Sequence, residues 1–246
     1  MNPKGIQIRP CTRLEEFGRC VELERRVWGF SDLELVSREI MVVAAKIGGQ
    51  IFGAFDEAEL VGFVLAFPGL RDGRGYLHSH MAAVLPEYQN AGVGRRLKLK
   101  QREDALARGL ELVEWTFDPL ELRNAHFNIN RLGAIIRRFV PNQYGQTTSP
   151  LHSGLPTDRL VAEWWLRAPR TEAAIAGRPL QPGPDCQRIV VPAKIGELRK
   201  TDVTAAAKAQ DELRQQFTYW LGRGFVVTGF ELTEQSGSYL LEPDAN

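Results

Sequence analysis

The sequence is poor in the residues that mark secreted, metal-binding or membrane-spanning proteins. Cysteine occurs only three times in 246 residues, at Cys11, Cys20 and Cys186. An odd number cannot all pair, and the spacing forms no zinc or redox motif, so a disulfide framework and a metal centre are both disfavoured. Small buried thiols in a reducing cytoplasm are the expectation. Charge of one sign is also scarce: 31 Lys and Arg against 30 Asp and Glu leave a net charge of +1. Such a chain carries no broad field for nucleic acid or an anionic membrane, so any anion site must be local. No apolar run reaches 18 residues, and Met1 to Pro10 lacks the apolar core of a signal peptide. A soluble, cytoplasmic protein without metal is therefore expected. Internal repeats and low-complexity tracts are lacking as well.

What is present is ordinary globular material, 43% hydrophobic and 25% charged, long enough for one large domain or one domain with an extension. Ile6 to Arg9 alternates as a short strand, and Thr12 is placed to cap an amphipathic helix over 14–28. A second helix over 37–47 ends at Gly48-Gly49. Strands over 50–55 and 60–67 flank an acidic turn. Pro68 to Gly75 reads as a glycine-rich loop before a strand over 76–85. A helix over 93–108 and a strand over 110–117 follow, and Asn124 to Phe139 contains a helical pattern broken at Gly133. Strands over 140–144 and 159–166 flank a loop rich in Gly, Pro, Ser and Thr. Residues 168–185 hold four prolines and read as a linker. Beyond it come a strand at 189–191, a long helix with Val203, Ala206, Gln210, Leu213 and Phe217 on one face, and a strand over 225–232.

One stretch orders the rest. Gln89-Asn90-Ala91-Gly92-Val93-Gly94 stands between an apolar strand and a long helix. The first amides of a helix have no partner within it, and glycine lets a large anion approach the backbone, so such a turn suits a pyrophosphate. Two familiar phosphate loops do not fit. Gly94 is followed by Arg95-Arg96 where a nucleotide P-loop has Lys-Ser or Lys-Thr, and Leu97 is too large for the third small residue of a dinucleotide fingerprint. Arg95, Arg96, Lys98 and Lys100 form either a solvated face or a reserve for a further phosphate.

Just upstream, His78 and His80 account for half of the four histidines. In a strand they point to one side. Such a pair can be structural, can hold an adventitious metal, or can accept a proton at neutral pH, since an imidazole titrates near pH ~6.5.

The pattern Val84-x-Pro86-x-x-Gln89-x-x-Gly92-x-Gly94, in the setting from Tyr76 to Gly133, resembles the acyl-CoA loop of the GNAT superfamily of N-acyltransferases. The resemblance implies an α/β fold, a mixed central sheet flanked by helices, with a C-terminal α/β extension. It divides the chain into a GNAT-like acyl-CoA-binding catalytic domain at 1–168 and, at 169–246, a proline-rich linker and extension packed on it. It implies acetyl-CoA or another acyl-CoA as co-substrate, held at Ala82, Val84, Gln89, Asn90, Gly92, Val93, Gly94 and Arg95, with Asn124 either on the CoA arm or a helix cap. His-x-His-x-x-Ala-Val resembles the branch in which both histidines serve the proton path, so His78 and His80 become the base pair. The Ala82 amide becomes the donor to the thioester carbonyl. Histone acetyltransferases of the superfamily carry a glutamate base at the position of His78.

The chain departs from the family at Ile129, where many members have a tyrosine that protonates the leaving thiolate. Either Asn128 or Tyr144 solvates that sulfur, or CoA leaves as thiolate into water. The expected reaction is direct transfer of an acyl group, acetyl by default and succinyl as the variant, to a primary amine of a small molecule or amino acid. A non-catalytic acyl-CoA sensor is the alternative. Arg71, Arg74, Arg123 and Arg167 stand unranked as partners for an acceptor carboxylate. Glu114 and Asp118 are expected to be solvated, Trp115, Trp164 and Trp165 to pack a core or interface, and His126 and His152 receive no role. The extension either covers the acceptor site or joins two chains as a homodimer.

Overall fold

The computed structural model describes residues 5–145, 154–180, 182–183 and 185–244. These residues cluster into two compact units that divide between Glu114 and Trp115.

The first unit contains β1 (Gln7–Pro10), α1 (Leu14–Trp28), α2 (Arg38–Lys46), β2 (Gln50–Asp56), β3 (Glu59–Arg71), β4 (Arg74–Val84), α3 (Val93–Ala107) and the start of β5 (Leu112–Phe117). Strands β1 to β4 form an antiparallel meander, and β5 joins β4 in parallel. The apolar stripe of α1 (Phe17, Cys20, Leu23) packs with Met41 and Ala44 of α2, Phe55, Phe63 and Leu65 of the sheet, and Leu97 of α3. The start of α1 is not capped by Thr12. Instead the Glu16 carboxylate reaches back to accept from Thr12 N at 2.9 Å and Arg13 N at 3.2 Å, the return half of a capping box.

The expected loop at 68–75 is a tight hairpin. Strand β3 runs on to Arg71 and β4 begins at Arg74, joined by Asp72-Gly73 with φ of 49° and 73°. Two consecutive positive φ values are the signature of the two-residue turn that matches strand twist, and Asp-Gly is a favoured pair for it.

The second unit contains the rest of β5, α4 (Leu122–His126), a wider π-type turn over Phe127–Arg131, β6 (Ile135–Val140), β7 (Arg159–Trp165), α5 (Pro169–Ile175), β8 (Gln187–Pro192), α6 (Ile195–Thr201), α7 (Val203–Leu221), β9 (Phe225–Leu232) and β10 (Ser236–Pro243). Its antiparallel ladder runs β7, β6, β9, β10, β8. The buried face of α7 is Ala206, Gln210, Leu213 and Phe217, and Phe217 packs between Phe139 and Tyr239. Trp164 donates to Leu132 O at 2.7 Å and meets Trp115 edge to face at 6.0 Å.

Three expectations change here. In place of the strand expected at 140–144, the strand runs over Ile135–Val140 and 141–144 form turns, because Gly133, at φ 80°, ends the helical turn abruptly. The proline-rich segment opens with a helix, Pro169 occupying its first turn, where a missing N–H costs nothing. Strand β10 and helix α6 stand in addition to the expected elements.

Candidate active site

Strand β4 carries the histidines, and its packing alternates. Leu77, Ser79 and Ala83 are buried, while His78 and Val84 are half-buried and His80 and Ala82 exposed. The ladder with β3 shifts by one residue here, pairing Leu65 with Met81 and Ala66 with Ser79, which leaves His80 as the extra residue of a β-bulge. The rings of His78 and His80 lie 6.3 Å apart, and His80 meets the edge of Phe67 at 5.5 Å. Desolvation, and secondarily the charge of His78, lowers the His80 pKa below the ordinary imidazole value.

Hydrogen-bond phase fixes which backbone groups of β4 are open. Leu85 N donates to Val61 O at 2.9 Å, and bonded and non-bonded pairs alternate along an antiparallel ladder. Leu85, Ala83 and Met81 therefore face β3, whereas the N–H and C=O groups of Val84 and Ala82 turn to the other edge. Gln89 Nε2 donates to Val84 O from that side at 3.0 Å. In the first unit the parallel ladder with β5 comprises Leu77 with Val113 and His78 with Glu114, so Ala82 lies four residues past the last pair.

The connection from β4 to α3 is a single 3₁₀ turn, Pro86–Tyr88, followed by positive φ at Asn90 (61°) and Gly92 (80°). Gly92 is the N-cap of α3, no side chain caps that end, and its first turn holds no acid. Arg95 and Arg96 stand there instead, the opposite of what a helix dipole prefers at its positive end. Gln89 through Gly92 are exposed and Val93 is buried. A methyl group at Gly92 would meet nothing within 4 Å, so backbone conformation, not crowding, requires glycine there. Open amides, basic neighbours and free space together fit an anionic diphosphate.

Several roles change. Lys98 is not on a solvated face and is not placed for phosphate: its Nζ donates to Ser79 Oγ at 2.7 Å and to Gln101 Oε1 at 3.1 Å. Burial lowers its pKa to about 7. Arg96 donates to Ile6 O, and Lys100 pairs with Glu103 at 2.7 Å. Glu114 is not solvated. At 4% exposure it accepts both arms of Arg71, at 2.7 and 2.9 Å, and its Oε1 lies 4.0 Å from His78 Nδ1. Arg71, one of the four candidate carboxylate ligands, is thus engaged by a carboxylate of the chain itself.

Within the second unit, Asp118 is also paired, accepting from Arg199 at 2.6 Å. Asn124 sits inside α4, whose cap is Glu121, so the capping role is excluded for it. Ile129 is fully buried and Asn128 nearly so, while Tyr144 is exposed, its hydroxyl 3.1 Å from Thr116 Oγ1. His126 Nδ1 lies 3.2 Å from Asn130 Nδ2, and His152 falls outside the described residues. Among the described residues no group of three or more His, Cys, Asp or Glu is arranged for a metal, and no helix is long and apolar enough to cross a membrane.

A strand, a glycine turn and an uncapped helix end follow one another here in an α/β fold. Residues 17–133 match the model of the acetyltransferase (GNAT) family. The match spans the division between the two compact units. A comparison with curated proteins by sequence gives no match. Among solved structures, the ribosomal-protein-S18-alanine N-acetyltransferase from Escherichia coli is similar at 16% identity and TM-score 0.54, over 66% of this chain and 95% of its own. NAA60 from Arabidopsis thaliana, solved with a bisubstrate analogue, gives 14%, 0.53, 65% and 98% for the same four measures. A GNAT-family acetyltransferase from Streptococcus pneumoniae gives 18%, 0.51, 64% and 98%. At these identities the likeness shows the fold.

Proposed function

We propose that the protein moves an acetyl group from acetyl-CoA directly to the primary amine of a small molecule or amino acid. The observation that carries this reading is the uncapped, acid-free start of α3 beside an open edge of β4 that bears two imidazoles. Backbone amides from Gln89 to Arg95 hold the pyrophosphate, with Asn90, Gly92, Val93 and Gly94 shaping the turn, while Val84 contacts the CoA arm. The Ala82 N–H donates to the thioester oxygen, where negative charge grows as the amine attacks. His78 and His80 take the amine proton, directly or through water. The thiol of CoA, with a pKa near ~8.5, leaves as thiolate into water. Catalysis is assigned to residues 1–168, with 169–246 as an extension packed on that domain.

Thiol release from acetyl-CoA with a panel of amines and amino acids tests the reading. The His78→Ala/His80→Ala protein is expected to lose roughly 100- to 10,000-fold in rate, while either single change is milder because one imidazole substitutes in part for the other. Full-speed transfer by the double variant overturns the base assignment. A sensor that binds acyl-CoA without turnover is the second reading, favoured by Ile129, whose buried side chain offers no proton. Tight acetyl-CoA binding with no thiol release on any amine decides for it.

A further inference from the structure

We propose that Glu114, clamped by Arg71, is a positioning residue that fixes the tautomer of His78 and so selects the nitrogen that receives the amine proton. The inference rests on the reading of His78 as a base.

His78 and Glu114 are register partners across the parallel β4–β5 pair, which stations the carboxylate beside the imidazole. Glu114 Oε1 lies 4.0 Å from His78 Nδ1, too long for a direct hydrogen bond and short enough for a small ring rotation or one water to close. Apo geometry in catalytic sites is commonly loose in this way. The carboxylate itself cannot wander. Both of its oxygens are bound by the guanidinium of Arg71 at 2.7 and 2.9 Å, a planar fork that fixes its orientation. Arg71 in turn lies over the ring of Tyr76 at 4.9 Å.

A fixed negative oxygen facing Nδ1 favours N–H at that nitrogen. The lone pair is then on Nε2, and the proton leaving the amine goes there, while Glu114 stays on Arg71 and takes no proton. Among the charged and titratable neighbours of His78 are Glu114 from β5 and His80 from its own strand, with Arg71 from the end of β3 bound to Glu114. Arg71 offsets most of the charge of Glu114. The pair therefore acts on the orientation of the ring more than on its basicity.

The test uses the full-length protein in two forms, Glu114→Gln and the double Arg71→Gln/Glu114→Gln. The double variant removes both charges, so that no guanidinium is left without its carboxylate partner. Circular dichroism and acetyl-CoA binding confirm that each form is folded. Nitrogen NMR of the His78 side chain reads the tautomer without any turnover, and steady-state kinetics read the reaction. Expected are an Nδ1–H tautomer in the parent protein, a shift toward Nε2–H in both variants, and a kcat lowered roughly 10- to 100-fold with KM for acetyl-CoA little changed. An unaltered tautomer in the folded variants overturns the proposal. A shifted tautomer with full kcat shows that Glu114 sets the ring but that His78 is not the base, which overturns the parent reading instead.

Discussion

Lys98 Nζ donates to Ser79 Oγ at 2.7 Å, so the residue between the two histidines is held from below by a lysine of α3. Gln101 Oε1 accepts from the same ammonium group, and burial lowers its pKa from 10.5 to about 7. The charged form is disfavoured in the folded state. Its contribution to stability is therefore complete above pH 10.5, declines as pH falls, and is lost below about 7. Chemical denaturation of the parent and of Lys98→Met at several pH values checks this. The parent is expected to gain on the variant between pH 7 and 10, and parallel curves exclude a buried, titrating Lys98.

Gly92 carries the turn at φ 80° with open space around it. Gly92→Ala is expected to cost about 1 kcal/mol of stability, since an L-residue is strained there, and to weaken CoA binding at least about 10-fold as the amides reorient. Asparagine tolerates this conformation better, so Gly92→Asn retains more of both. Calorimetric titration with CoA, read beside thermal melts, separates the two effects. Equal binding by all three proteins removes the loop from the cofactor site.

The lowered pKa of His80 has a kinetic counterpart. A base works only when neutral, so the acid limb of kcat/KM is expected below about pH 6.5, since desolvation first and His78 second hold the imidazole unprotonated. A pH profile of the parent beside His80→Ala checks it. An acid limb above neutrality, unchanged by the substitution, assigns the base elsewhere.

The sequence made the β4, glycine turn and α3 unit legible because three local signals agree there: an apolar strand, residues that tolerate positive φ, and a helical period. Single local signals misled. Pro68 and Gly69 suggested a loop where the Asp72-Gly73 turn makes a hairpin, and the prolines after Ala168 concealed a helix that Pro169 starts. The partners of Lys98 and Glu114 were out of reach for another reason. Both are decided by long-range placement, Glu114 meeting Arg71 across 43 positions of chain, and a charged residue on a strand or helix reads as solvated until its partner is known. The bulge at His80 is equally non-local, being a property of two strands together.

Arg199 of α6 is buried, yet it donates to Asp118 at 2.6 Å and to Glu121 at 2.9 Å. It ties the turn after β5 to a helix nearly 80 residues later in the chain. Arg199→Met removes one partner of a largely desolvated pair and is expected to cost about 3 kcal/mol. Urea unfolding measures this, and a loss under 1 kcal/mol places the pair among weak surface contacts. The Glu121→Gln change, at the exposed end of the clamp, is expected to be much milder.

Glu24 of α1 is fully buried and accepts from Val36 N at 2.9 Å through one oxygen, while its other oxygen has no hydrogen-bond partner. Desolvation raises its pKa from 4.5 to about 7, against the smaller effects of the Val36 bond and Arg25. The neutral acid is the form that the fold prefers, so its contribution is complete below pH 4.5 and is lost as pH rises through 7. Glu24→Gln keeps the shape and the acceptor for Val36 N without the charge. It is expected to be more stable than the parent at pH 8, by several degrees in Tm, and to match it near pH 5. Because the Lys98 and Glu24 windows lie on opposite sides of pH 7, one series of melts separates them. A glutamine variant that melts lower at pH 8 makes the carboxylate an asset in its charged form and implies a cationic or polar partner for its second oxygen.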